Sequence, residues 1–267
     1  MAYAHSRQMN QIQIYNEDYI RRELQTAAEF QRAVLPEPVP LRYLQTAISY
    51  LPHSEVSGDV YHFLLNREGE LGIFIGDATG HGVTAALMTM MVMLGLDGIR
   101  RNLSTDDSMR RLNGLLAARK TGVSVTGIFF RVSPRGKLTV THAGHPPLLL
   151  IPVNGAEIVC FEKGGCPLGI FDDEPVPYEE EQYQLQAGDK LFACTDAVLE
   201  WENMAGEVFG MEKLLGVLDH HRYQNIQDLI NICLNRLVEH AEGNSCGDDL
   251  TILAFEYTGE HDTGYTS

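Results

Sequence analysis

The hydrophobic and polar positions separate a helical first segment from a longer region in which strands and helices alternate. Residues 8–34 predict one helix rich in Gln, Glu and Arg, which ends at Pro36 and Pro38 because proline cannot continue a helix. Asn16 and Glu23 interrupt its broad apolar face, so the helix is not a regular coiled-coil heptad. That face consists of Ile12, Tyr15, Tyr19, Ile20, Ala27, Phe30 and Val34.

Strand-like segments dominate the chain after the two prolines. Helices are predicted near Gly82 and over residues 106–118 and 225–240. Because the strands arrive in hairpin-like groups, antiparallel sheets flanked by helices fit better than a doubly wound parallel sheet, and the predicted fold class is α+β. The strands are predicted over residues 43–50, 59–65, 71–75, 123–132, 137–141, 147–152, 157–162, 181–185, 190–195 and 250–257.

Charge and composition narrow the possible partners and locations. The formal charge of −16 argues against nucleic-acid binding, which needs a basic face. The longest apolar stretch, residues 85–96, is too short to span a bilayer, so no membrane partner is predicted. The five cysteines show no CxxC spacing, and residues 1–5 lack a signal-peptide core. A cytoplasmic protein with reduced thiols is therefore predicted.

Aspartates follow or begin several apolar strands. Asp59, Asp77, Asp196, Asp248 and Asp249 each lie beside such a strand. A single aspartate in a turn is common and favours a structural interpretation. Several at the ends of apolar strands favour a divalent metal site, because buried carboxylates are costly unless they are paired, and hard oxygen ligands select Mg²⁺ or Mn²⁺.

These aspartates stand in motifs that resemble the SpoIIE/RsbU-type branch of the PPM (protein phosphatase 2C-like) serine/threonine phosphatases. The first, Ser57-Gly58-Asp59-Val60-Tyr61, is similar to that branch's Gly-Gly-Asp-Phe/Trp-Tyr. The second, Gly76-Asp77-Ala78-Thr79-Gly80-His81-Gly82, is similar to its Gly-Asp-Val-Ser-Gly-His-Gly. Four further motifs follow in family order, at residues 141–147, 165–170, 195–210 and 247–251.

The resemblance implies a four-layer αββα sandwich with two Mn²⁺ or Mg²⁺ ions at one end. Asp77 would bridge both ions, the Ala78 backbone carbonyl would ligate one, and Asp59, Asp196 and Asp248 would complete the cluster. A water bridged between the ions would attack phosphoserine or phosphothreonine, so no catalytic side chain is needed. Supporting roles are predicted for Asp249, Gly58 and Gly80.

The resemblance also divides the chain into three parts. Residues 1–36 form a helical linker or dimerisation segment, residues 37–258 the phosphatase domain, and residues 259–267 a polar tail. We expect residues 24–35 to pack on the domain and residues 12–20 to pair with a second copy, which gives a homodimer. The alternative is a helix that lies entirely on its own domain.

Three positions depart from the family pattern. Ser57 replaces a glycine, His62 stands where an acidic residue is frequent, and Ala197 replaces the glycine after the third aspartate. If that glycine needs a positive φ, alanine costs about 1 kcal/mol. His81 is open to two interpretations, a general acid or a histidine that caps or packs a helix, and His145 is interpreted as structural.

The functional prediction is a phosphoprotein phosphatase in bacterial partner-switching signalling that regulates stress responses. The resemblance implies a phosphorylated STAS-domain anti-sigma-factor antagonist as substrate. Two alternatives stay open: a non-catalytic phosphoprotein-binding module, favoured by Ser57 and Ala197, and a small-molecule phosphatase. Most relatives carry an N-terminal sensor domain, so the chain is expected to be a fragment or to receive its signal from a separate sensor protein.

Overall fold

The computed structural model describes residues 2–171 and 177–259, with side chains described from residue 17 onward within those ranges. None of the described helices is long and apolar enough to cross a bilayer. In chain order the elements are α1 (Ala2–Val34), β1 (Leu44–Leu51), β2 (Asp59–Leu65), β3 (Leu71–Ala78), α2 (Val83–Asp97), α3 (Thr105–Ala117), β4 (Val125–Val132), β5 (Lys137–Ala143), β6 (Leu148–Ile151), β7 (Val159–Phe161), β8 (Gly164–Gly165), β9 (Glu180–Gln184), β10 (Lys190–Cys194), α4 (Ala197–Glu200), α5 (Gly210–His220), α6 (Ile226–Ala241) and β11 (Leu250–Tyr257).

The strands form two sheets. The first has the order β1-β11-β10-β6-β7, and the second has the order β2-β3-β4-β5-β8, with β9 also paired to β5. Neighbouring strands are antiparallel, apart from the short parallel pairing of β8 with β5. The expectation of two antiparallel sheets is corrected at that pair, where only His142 and Ala143 of β5 are engaged.

Three apolar clusters make the fold a four-layer sandwich. Between the sheets, Phe130 of β4 meets Phe255 of β11 edge-on, with ring centroids 5.5 Å apart. Met88 of α2 and Leu112 of α3 cover the outer face of the second sheet. Leu229 of α6 belongs to the cluster that covers the first sheet. The predicted αββα sandwich is therefore confirmed.

The side chains of β2 and β3 that point between the sheets are apolar along most of each strand and acidic at one end. Tyr61 and Phe63 of β2 and Ile75 of β3 point between the sheets, because side chains alternate with a period of two. Asp59 and Asp77 hold the next positions of the same face. The core between the sheets therefore ends in two carboxylates.

Helix α1 packs on the domain through its C-terminal half. Ala28 and Gln31 are buried, and Leu24 and Leu35 are half-buried. The expectation that residues 24–35 contact the domain is confirmed. The helix also begins earlier than predicted, at Ala2 rather than near residue 8.

The predicted apolar face of α1 is not the face that packs on the domain. Tyr19, Ile20 and Phe30 are 57%, 56% and 63% exposed. The face that packs is offset from the predicted one. It includes the buried polar residue Gln31, which a search for apolar positions does not select. The side chains of Ile12, Tyr15 and Asn16 lie outside the described residues.

Helix α5 was absent from the sequence-based prediction. It buries Leu214 and Leu218 against the first sheet, and both belong to the same apolar cluster as α6. Strand β3 also runs three residues further than predicted, to Ala78. That extension brings Asp77 into the sheet, with its backbone held by regular pairing.

Candidate metal centre

The pairing of β2 with β3 places two carboxylates side by side. Asp59 is the direct cross-strand partner of Asp77. Like charges opposite each other destabilise an antiparallel pair. Asp59 is also 1% exposed, so water cannot screen its charge. The arrangement is unfavourable unless a proton or a cation compensates it.

Asp59 is oriented by two threonines of the opposite sheet. Its Oδ2 accepts hydrogen bonds from Thr195 Oγ1 at 3.0 Å and from Thr251 Oγ1 at 2.6 Å. Its Oδ1 is buried and has no hydrogen-bond partner among the described residues. Burial raises the pKa of Asp59 well above its usual value, partly offset by the Thr251 hydrogen bond and reinforced by the nearby charge of Asp77.

Asp77 lies where the other carboxylates converge. Burial raises its pKa to about 8, and the charges of Asp196, Asp248 and Asp249 add to the effect. The pKa of Asp196 is raised as well, by burial first and then by Glu200 and Asp248. Asp77, Asp196 and Asp248 are thus close enough to repel one another when ionised.

Gly58 makes room for two oxygens. A Cβ on Gly58 would lie 3.1 Å from Asp77 Oδ1 and 3.2 Å from the Ala78 carbonyl oxygen. It would also lie 3.2 Å from the Cβ of Ala85, near the start of α2. Close approach, and not a positive φ, explains the glycine. Both oxygens therefore border the same small space.

Asp249 holds two backbone segments beside this space. Its Oδ1 accepts from the His53 N–H and its Oδ2 from the Gly58 N–H, each at 2.7 Å. Both oxygens are therefore engaged by the protein, which favours the predicted supporting role. Asp248 is exposed, and its Oδ1 accepts from the Asp249 N–H at 2.8 Å.

A contact that the sequence interpretation missed joins α1 to this centre. The Ser57 N–H donates to Gln31 Oε1 at 2.9 Å, and Gln31 Nε2 donates to the Ser57 carbonyl at 2.7 Å. Gln31 Nε2 also donates to Thr89 Oγ1 of α2 at 3.0 Å. Ser57 Oγ in turn accepts from the Asp59 N–H at 3.1 Å. The serine that departs from the family motif is thus part of the hydrogen-bonded loop.

Ala197 does not have the positive φ that would make alanine unfavourable at this position. Ala197 begins α4, and within the described ranges the non-glycine residues with positive φ are Lys120 and Glu242. Gly80 does have a positive φ, of 92°, and no atom lies within 4 Å of its added Cβ. Glycine at position 80 is therefore explained by the backbone conformation and not by crowding.

The histidines lie in different environments. His81 is exposed, and α2 has Gly82 as its N-cap, so the interpretation of His81 as a capping or packing residue is wrong. His62 faces α2 and contacts Asp97 Oδ1 at 3.1 Å, on the face of β2 opposite to Asp59. His145 is buried, and burial lowers its pKa to about 3, which is consistent with the structural interpretation.

The donor set fits a hard divalent cation. Carboxylate oxygens and one backbone carbonyl are the groups that Mg²⁺ and Mn²⁺ prefer, and the free Oδ1 of Asp59 has no other partner among the described residues. Among the described side chains, at residues 17–171 and 177–259, no three His, Cys, Asp or Glu already have the geometry of a finished site. The fit therefore rests on donor chemistry and on the repulsion among the carboxylates.

Comparison with known families identifies the chain's relatives. The family model of Stage II sporulation protein E (SpoIIE) matches residues 67–258. The chain belongs to the SpoIIE family. The matched part of this SpoIIE-family chain includes Asp77, Asp196 and Asp248, whereas Asp59 lies before it.

Two curated relatives come from Bacillus subtilis (strain 168). Phosphoserine phosphatase RsbP is 27% identical over 236 residues, which cover 86% of this chain and 56% of RsbP. Phosphoserine phosphatase RsbU is 25% identical over 240 residues, which cover 88% of this chain and 70% of RsbU. The chain therefore spans little more than half the length of RsbP.

Solved structures share the fold. The SiaA-PP2C domain of Pseudomonas aeruginosa superposes with a TM-score of 0.81 at 22% identity, covering 91% of this chain and 98% of that domain. RsbX in complex with magnesium gives a TM-score of 0.62 at 15% identity, covering 82% and 98%. The catalytic domain of the serine/threonine protein phosphatase PstP, with two manganese ions, gives 0.56 at 14% identity, covering 80% and 97%.

Proposed function

We propose that this SpoIIE-family chain is a protein phosphatase that hydrolyses phosphoserine or phosphothreonine with Mn²⁺ or Mg²⁺. The observation that carries the proposal is the mutually repelling carboxylate group around Asp77, whose pKa is raised to about 8. Such a group is stabilised when divalent cations replace its protons. The names of RsbP and RsbU, both phosphoserine phosphatases, support the reaction class.

Two ions are proposed, as in the PstP structure. Asp77 would serve both, the Ala78 carbonyl would serve one, and Asp59, Asp196 and Asp248 would complete the set. When bound, the two ions would supply Lewis-acid chemistry, namely activation of a water between them as the nucleophile and compensation of charge on the phosphoryl oxygens.

The chain's own residues prepare this centre. Thr195 and Thr251 orient Asp59 so that its Oδ1 stays available. Asp249 fixes the Gly58 backbone, and Gly58 leaves the space beside Asp77 open. Much of the Asp77 population holds a proton at neutral pH, because its pKa is about 8. Cation binding therefore releases that proton.

The substrate and setting are proposals that rest on the family resemblance. We propose a phosphorylated STAS-domain protein as substrate, partner-switching signalling as the context, the cytoplasm as the location and a separate sensor protein as the source of the signal. A homodimer through α1 is part of the proposal, because Tyr19 and Phe30 leave apolar area in water. Light scattering on the full chain, compared with a chain that begins near Glu23, tests the dimer.

The reaction itself is tested by phosphate release from a phosphoserine protein. We expect turnover with Mn²⁺, loss after chelation, recovery when Mn²⁺ is returned, and faster turnover on phosphopeptides than on nucleotides. Full activity after exhaustive chelation would contradict the mechanism. Binding of the phosphoprotein without turnover would instead identify a non-catalytic binding module, and a preference for nucleotides would identify a small-molecule phosphatase.

A further inference from the structure

A groove opens directly beside the carboxylate centre. Its volume is about 280 Å³, and it shares Asp196 and Asp248 with the centre. The remaining walls come from the end of α4 with the residues after it, and from the loop that precedes β11. A protein whose phosphoserine reaches Asp196 and Asp248 must place neighbouring residues near this groove, since successive residues of an extended chain advance by about 3.4 Å.

Two groove carboxylates lie outside the predicted ligand set. Glu200 and Glu202 are both exposed and line the groove. Within the described ranges, no hydrogen bond or ion pair engages either carboxylate. Glu200 lies close enough to Asp196 to contribute to the raised pKa of Asp196, so the two carboxylates repel each other. Both glutamates are therefore available to a positively charged side chain.

An aromatic ring lies between these two glutamates in sequence. Trp201 is half-buried and lines the same groove. Its Nε1–H donates to the Asn244 carbonyl at 3.2 Å, which fixes the ring against the loop before β11. An indole face attracts an ammonium or guanidinium group more strongly than other aromatic rings do. The groove thus combines two free carboxylates with an aromatic ring held in place by a hydrogen bond.

We propose that this groove binds a Lys or Arg side chain located within a few residues of the substrate's phosphoserine. The inference rests on the proposed phosphatase function and deepens it by naming the local charge of the substrate. The aliphatic part of the basic side chain lies along Trp201, and its charged end reaches Glu200 and Glu202. An acidic residue at the same position is repelled by Glu200 and Glu202, the two groove carboxylates outside the proposed ligand set.

The net negative charge of the whole chain also favours a substrate with a basic segment. A formal charge of −16 attracts a basic segment and orients it before contact. That long-range attraction does not depend on which glutamate is present. The groove contribution is therefore separated from it by comparing variants that change the net charge equally.

The test uses the full chain with Mn²⁺ and phosphoserine peptides that differ at one flanking residue, Lys or Glu. At low salt we expect kcat/KM to be at least about fivefold higher for the Lys peptide. The double variant Glu200→Gln/Glu202→Gln should bring the ratio to within about twofold, because both charges are lost. Glu212→Gln/Glu239→Gln, at two exposed glutamates outside the groove, changes the net charge equally and should keep the ratio.

Each outcome has a distinct meaning. Both peptides use the same metal centre, so their ratio cancels any change in the chemistry itself. If the wild-type chain hydrolyses neither peptide nor p-nitrophenyl phosphate with Mn²⁺, the proposed function fails. If it hydrolyses all three but the peptide ratio is near one, or if the groove variant keeps the ratio, the groove inference alone is overturned. A Mn²⁺ requirement altered by the groove variant, with an unchanged ratio, would overturn it too, since the groove would then hold an ion.

Discussion

The two sides of the carboxylate centre are built in opposite ways. On the buried side, Asp59 and Asp249 accept hydrogen bonds from threonines and backbone N–H groups, at distances of 2.6–3.0 Å. On the open side, Asp77, Asp196 and Asp248 are more exposed, and the first two have pKa values raised by burial and by neighbouring carboxylates. The protein fixes geometry on one side and brings mutually repelling carboxylates together on the other.

That difference separates carboxylates that the protein already holds in place, including the proposed ligand Asp59, from carboxylates that mainly repel one another. A hydrogen-bonded carboxylate is held in place before any ligand arrives, so little ordering is needed later. A cluster of repelling carboxylates lowers the stability of the folded chain until cations bind. The largest functional effects are therefore expected on the open side, and smaller positioning effects on the buried side.

Removing the central open-side carboxylate should have the largest effect. Asp77→Asn is expected to lower kcat/KM at least about a hundredfold, because in the proposed centre one side chain would serve both ions. Asp107→Asn, at an exposed aspartate of α3, is the matched control and should stay near wild type. Phosphate release from a phosphoserine peptide measures both. An Asp77→Asn chain with more than a few per cent of wild-type rate would remove Asp77 from the bridging role.

Removing a hydrogen bond to Asp59 on the buried side should lower activity less than Asp77→Asn does. Thr251→Val removes the 2.6 Å hydrogen bond to Asp59 with little change in volume, and we expect activity to fall about tenfold to a hundredfold. Thr141→Val is the control, since its hydroxyl is equally buried but donates to Thr105 Oγ1 away from the centre. Both variants should lose stability by about 1–3 kcal/mol, measured by urea unfolding. Equal activity in the two variants would show that Asp59 needs no positioning.

Removing the contact between Gln31 of α1 and Ser57 should lower activity less again. Gln31→Leu removes both hydrogen bonds to Ser57, and we expect about a tenfold loss of activity that excess Mn²⁺ partly restores. Gln25→Leu, an exposed position on the same helix, should have no such effect. The measurement is the Mn²⁺ dependence of kcat/KM. An unchanged dependence in Gln31→Leu would mean that the loop holds its shape without α1.

The charge on the open side should also appear in the pH dependence of stability. The folded-state pKa of Asp77, about 8, is above the unfolded value, so the folded chain binds more protons between pH 4 and 8. In chelator, the free energy of unfolding should therefore fall as pH rises through that range, with Asp59 and Asp196 acting in the same direction. Asp77→Asn should flatten the fall. A wild-type chain that grows more stable from pH 5 to 8 would contradict the raised pKa.

The positions of the carboxylates could be predicted because simple patterns fix them. The hairpin pattern around residues 67–69 predicts a strand that begins at Asp59, and its bounds match β2 in the structure. The family motifs then joined Asp77, Asp196 and Asp248 into one site. Their burial and repulsion needed the structure, because these depend on how the two sheets pack, which brings Thr195 and Thr251 against Asp59.

Other features were missed for identifiable reasons. Gln31 was overlooked because an apolar-face argument ignores a polar residue whose partners, the Ser57 backbone and Thr89, lie far along the chain. Helix α5 was missed although Leu214 and Leu218 have helical spacing, a signal that was present in the sequence. The Ala197 concern assumed a positive φ that no sequence pattern can establish.

The most direct measurement of the central claim is calorimetric titration of Mn²⁺ into the full chain at pH 7. Buffers with different ionisation enthalpies report the protons released. We predict two ions per chain and net proton release, because Asp77, with its pKa raised to about 8, must lose its proton. Asp77→Asn should bind Mn²⁺ far more weakly. Absence of Mn²⁺ binding at millimolar concentration, or binding unchanged in Asp77→Asn, would contradict the assignment of this centre.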